Sequence, residues 1–72
     1  MDERIKAAVT KVRHYLQGDG GDLELVELKS DGTLVLRLLA PLGESDYLRA
    51  FTPDIERMLR QDVPELARIE LL

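Results

Sequence analysis

Apolar residues Ile5, Ala8, Val9, Val12, Tyr15 and Leu16 recur three and four positions apart, separated mostly by charged or polar residues. That spacing lays one apolar stripe along an amphipathic helix and predicts a helix over residues 3–17. Asp2 is its N-cap in this reading. Asp2 and Glu3 sit at the positive end of the helix dipole, Lys11, Arg13 and His14 toward the negative end, and Gly18 supplies the stop. Gly18-Asp19-Gly20-Gly21-Asp22 is too rich in glycine to be regular, and predicts a tight turn with positive φ at one or more positions.

The period then changes from helical to two. Over residues 33–39, Leu34, Leu36 and Leu38 alternate with Val35, Arg37 and Leu39, the pattern of a strand. Residues 23–29 form its antiparallel partner, joined through the Asp-Gly hairpin chemistry of Ser30-Asp31-Gly32. Leu25, Val26 and Leu28 do not keep one parity, which predicts either a bulge or a strand apolar on both sides.

After Ala40-Pro41-Leu42-Gly43 the helical spacing returns, with Leu48, Phe51, Ile55, Met58 and Leu59 on one face. Thr52 as N-cap followed by Pro53 at the first helical position is a start signal, so the helix proper runs from Pro53 to about Gln61. Residues 45–50 then form a separate turn or a kinked leading segment. Leu48 and Phe51 are assigned to the core, while the pattern leaves Leu42 and Tyr47 open between core and an exposed apolar patch. Pro64 prevents continuation, and residues 66–72, with Ile69 and Leu71 inward, predict a final strand. The order αββαβ specifies an α+β, two-layer domain. A right-handed crossover lays strand three parallel to strand two, with two helices on one face of a small three-stranded mixed sheet.

Composition narrows the function classes. Seventy-two residues hold one domain, residues 1–72, with a single core. A chain 44% hydrophobic and 33% charged is not disordered. Its longest apolar stretch, from Leu34 to Leu42, is broken by Arg37 and Pro41 and is far shorter than the ~18 residues of a membrane span. Met1-Asp2-Glu3 is acidic where a signal peptide would be basic, so a cytoplasmic location is expected. The net charge of −4 argues against a general nucleic-acid binder. With no cysteine, the chain can form neither a disulfide nor a thiolate-ligated zinc or iron–sulfur site by itself.

The stretch Arg13-His14-Tyr15-Leu16-Gln17-Gly18-Asp19-Gly20-Gly21-Asp22-Leu23-Glu24 resembles the start of the NifU-like C-terminal (Nfu) domain. That family reads Arg-Pro-Tyr-Leu-Gln, a small residue, then Asp-Gly-Gly-Asp-Val-Glu. Asp54-Ile55-Glu56-Arg57-Met58-Leu59 is similar to its Gly-Ile-Glu-x-x-Leu, and Val63-Pro64-Glu65-Leu66 to its Ile/Val-Pro-Glu-Val. The resemblance implies a role in iron–sulfur cluster assembly, with a Cys-x-x-Cys pair between strand two and helix two holding a cluster shared across a homodimer. Here the pair is missing. Counting forward from Leu36-Arg37-Leu38 places the cysteine positions at Leu42 and Ser45; counting back from Ile55-Glu56 places them at Pro41 and Glu44. The departures cluster between Ala40 and Pro53.

Other chemistry is weak. Gly18-x-x-Gly21 has the spacing of a KH-domain loop, but those loops join two helices and carry positive charge, whereas this one holds Asp19 and leads into a strand. His14, Asp19, Asp22, Glu44 and Asp46 could be imagined as hard metal ligands, yet His14 sits among Lys11 and Arg13 and reads as a solvated surface residue. Ser30 and Ser45 lie in turns without a visible base, so an enzyme is not expected. Glu56 and Arg60 form an i,i+4 surface pair in this reading.

The expected function is that of a cluster-less protein-interaction module in or near iron–sulfur biogenesis, with no cofactor of its own. Asp19, Gly20, Gly21, Asp22, Leu42 and Tyr47 are the residues expected to meet an assembly factor or client apoprotein. Without a bridging cluster the domain is expected to be a monomer, with neither nucleic acid nor membrane as partner. Two alternatives stand beside this reading: an iron or cluster carrier using non-thiolate or partner-supplied ligands, and a structural or regulatory remnant of a longer protein.

Overall fold

In the computed structural model, which describes residues 2–43 and 45–72, the first apolar stripe folds as helix α1 (Glu3–Gln17). Asp2 caps it, its carboxylate accepting from the Arg4 N–H at 2.8 Å. Ile5, Ala8, Val9, Val12 and Leu16 are buried as the spacing requires, but Tyr15, at the edge of the stripe, remains 38% exposed.

Strands β1 (Asp22–Leu28) and β2 (Thr33–Leu39) pair antiparallel, and β3 (Arg68–Leu71) adds parallel to β2, giving the sheet order β1-β2-β3. The parity break in β1 is a bulge: the register slips between Leu25 and Glu27, so that Leu25 faces Leu36 and Glu27 faces Val35. In the hairpin, Gly32 takes φ +90° and the Asp31 carboxylate accepts from the Thr33 N–H at 2.9 Å.

Between β2 and β3 lie a short helix α2 (Ser45–Arg49) and the longer α3 (Thr52–Asp62), so the leading segment is a helix of its own. The start of α3 differs from the sequence reading. Phe51, not Thr52, is the N-cap, and Pro53 lies one position deeper than expected; Thr52 Oγ1 donates back to the Arg49 carbonyl at 2.7 Å and so closes α2 instead of capping α3. Arg60 donates to the Leu66 carbonyl at 2.7 Å rather than pairing with Glu56, tying α3 to the segment ahead of β3.

α1 and α3 cover one face of the sheet. Their buried residues, Ile55 and Leu59 among them, join Leu23, Leu34, Leu36, Val63 and Leu66 in one core, with Phe51, Met58, Ile69 and Leu71 packed against it half-buried. This is the expected two-layer α+β domain, with α2 as an addition. Exposed ion pairs, Arg4 with Glu65 and Lys11 with Asp62, link α1 to the segment around the end of α3 and contribute little each.

Candidate functional site

The glycine-rich turn is built residue by residue for its place between α1 and α2. Gly21 N donates to Leu16 O at 2.9 Å and Gly20 N to Gln17 O at 3.2 Å, with Gly20 at φ +81°; this is a Schellman motif. α1 thus stops at Gln17 with Gly18 as its C-cap, as expected, still right-handed at φ −63°, and the left-handed residue of the turn is Gly20. Gly21 has another role: a Cβ there would lie 2.8 Å from Leu48 Cδ1, so only glycine lets α2 pack this closely on the turn.

The two flanking aspartates face different partners. Asp22 is held by Arg13, whose Nε and guanidinium nitrogen donate to its two carboxylate oxygens at 2.8 and 3.2 Å, while Asp22 Oδ1 also accepts from the Leu23 N–H. The Arg13 guanidinium foremost, with the backbone and Gln17 hydrogen bonds, lowers the Asp22 carboxyl to about 2 against its partial desolvation. Asp19 points the other way and accepts from Tyr47 Oη at 3.3 Å.

The chain's three aromatic residues form one row across this end of the molecule. Tyr15 and Tyr47 both meet Phe51 edge-to-face, with centroids 5.6 and 5.4 Å away. Beyond Tyr15, its hydroxyl donates to Asp54 at 3.4 Å. Leu42 lies over the turn, 3.2 Å from where a Gly20 Cβ would stand, yet is 75% exposed; Tyr47 is 53% exposed. The two residues left open by the sequence pattern thus belong to the surface, and Leu48 to the interior.

All six residues named from the sequence fall in one neighbourhood: Asp19, Gly20, Leu42 and Tyr47 on the outer surface, Gly21 beneath Leu48, and Asp22 at the edge against Arg13. Sequence reasoning missed Tyr15, Phe51 and Asp54. The available signal was that the chain has just three Phe or Tyr residues, Tyr15 on the first predicted helix just before the glycine turn and Tyr47 and Phe51 four apart at helical spacing.

The loop after β2 offers an iron–sulfur cluster nothing suitable. Pro41 and Leu42 have no side-chain donor atom, and Ser45, the first residue of α2, carries a hard hydroxyl; Glu44 lies outside the described residues. Among the described residues no group of His, Asp and Glu is arranged to hold a metal ion, His14 is exposed on α1, and no helix is long and apolar enough to cross a membrane.

The family model for the NifU-like domain matches residues 5–70. The chain belongs to the NifU-like domain family. That family is tied to iron–sulfur cluster assembly, and this NifU-like domain is a variant that contains no cysteine. Comparison with curated proteins gives no match.

Proposed function

We propose that this NifU-like domain is a non-enzymatic protein-interaction module of cytoplasmic iron–sulfur cluster biogenesis, holding no cluster and acting as a monomer. The observation that carries the reading is the family scaffold retained with the ligand loop changed: Pro41, Leu42 and Ser45 stand where soft thiolates are needed, and none of them can ligate iron as a thiolate does. The loop and α2 after it meet the turn through Leu42 and Leu48, and present Leu42 and Tyr47 outward. An exposed apolar pair beside a well-braced turn is suited to docking an assembly factor or a client apoprotein.

A pull-down from native lysate, with the intact domain as bait and Tyr47→Ser as control, tests it. Recovery of an iron–sulfur assembly factor or cluster-containing client by the wild type and its loss in Tyr47→Ser is the expected result. Failure to recover any such protein would overturn the reading. Sedimentation should show a monomer at all concentrations, and a concentration-independent dimer would contradict that part.

A further inference from the structure

The aromatic row has unequal ends. At the Tyr15 end, Asp54 accepts from Tyr15 through Oδ2 and from Arg57 through Oδ1 at 2.7 Å, so an internal cation already serves that carboxylate. At the Tyr47 end, Asp19 accepts from the phenol at 3.3 Å, but among the described residues it forms no ion pair. Next to it stand Leu42 and Tyr47, the two most exposed large apolar side chains of the described chain. An oriented carboxylate thus borders an exposed ring and an exposed isobutyl group.

These three chemistries fit one kind of side chain. A guanidinium is planar and weakly hydrated, stacks on aromatic faces, and donates in a fork to carboxylates. A phosphorylated or acidic partner segment would meet Asp19 with like charge, and the net charge of −4 adds attraction for a cationic one. We infer that the corner formed by Leu42, Tyr47 and Asp19 receives an arginine of the docking partner, carried on a segment with an apolar residue beside it for Leu42. The inference rests on the docking reading above and specifies its partner.

The test uses the ¹⁵N-labelled domain and three short acetylated peptides of alternating leucine with arginine, glutamine or glutamate. The arginine peptide should shift the amides of Asp19, Leu42 and Tyr47, and the other two should bind at least several-fold more weakly. Asp19→Asn and Tyr47→Ser, checked for unchanged spectral dispersion, should each weaken the arginine peptide by about twofold to fivefold, the range for one exposed ion pair or cation–π contact. Equal shifts of this corner by all three peptides would overturn the arginine assignment while leaving an apolar docking surface standing. No shift at these amides with the arginine peptide would also overturn it, and the pull-down decides the docking reading separately.

Discussion

A Cβ built on Gly21 would lie 2.8 Å from Leu48 Cδ1 and 2.9 Å from Leu48 Cδ2, which makes the second glycine of the turn a packing partner of α2. Leu48 is only 1% exposed, so its methyls can give way only by disturbing the packing around them. Gly21→Ala should therefore destabilise the domain by about 1–3 kcal/mol through overpacking. Leu48→Ala alone should cost about 2–5 kcal/mol for the cavity it leaves. Because the first change fills what the second vacates, the double variant should cost clearly less than the sum, and additive values in urea denaturation would refute the contact.

Gly20 answers to a different constraint. Its φ of +81° costs a β-carbon-bearing residue about 1–2 kcal/mol, whereas the neighbouring Leu42 is exposed and can move aside. Gly20→Ala should destabilise by that amount and Gly20→Asn by less, since Asn tolerates the left-handed region. Equal losses in the two variants would point to crowding rather than backbone conformation.

The Arg13–Asp22 pair gives the domain an acid-side pH dependence. Asp22 titrates at about 2 in the folded protein, below its ordinary 3.8, so the folded state binds this proton more weakly than the unfolded chain. The stabilisation is fully present above the ordinary value and fades as pH falls from about 4 toward 2. Both side chains are partly exposed, so solvent screening limits the pair to about 1 kcal/mol or less. In Arg13→Gln, the Asp22 carboxyl followed by ¹³C NMR should titrate closer to 3.8, and the loss of stability between pH 4 and 2 should shrink.

Phe51 links the two tyrosines. Its replacement by leucine removes two edge-to-face contacts, each contributing about 0.5–1.5 kcal/mol beyond burial, and should lower stability by about 1–2 kcal/mol. The near-ultraviolet circular dichroism of Tyr15 and Tyr47 should weaken at the same time. An unchanged tyrosine signal would show that the row is not held by Phe51.

Much of the fold was legible because each of its signals is local. The stripe from Ile5 to Leu16, the Asp2 cap, the alternation around Leu36, the bulge near Val26 and the Asp31-Gly32 hairpin all depend on neighbours a few positions apart. The site was legible only as a neighbourhood. Which glycine of the turn takes the left-handed position, Gly20, follows from which carbonyls of α1 are left to satisfy, and that Thr52 spends its hydroxyl on Arg49 follows from α2 closing just before it. The aromatic row joins residues far apart in the chain, and periodicity alone assigned Tyr15 to the core because the stripe does not mark where the helix face turns to solvent.

The scaffold of a cluster-assembly family persists here without the cysteines that would hold a cluster. Anaerobic reconstitution of the purified chain with ferrous iron and sulfide, followed by desalting, visible absorption and iron analysis, shows whether a cluster can still form. The expected result is a colourless protein with sub-stoichiometric iron. A stable visible chromophore with stoichiometric iron and sulfide would contradict it.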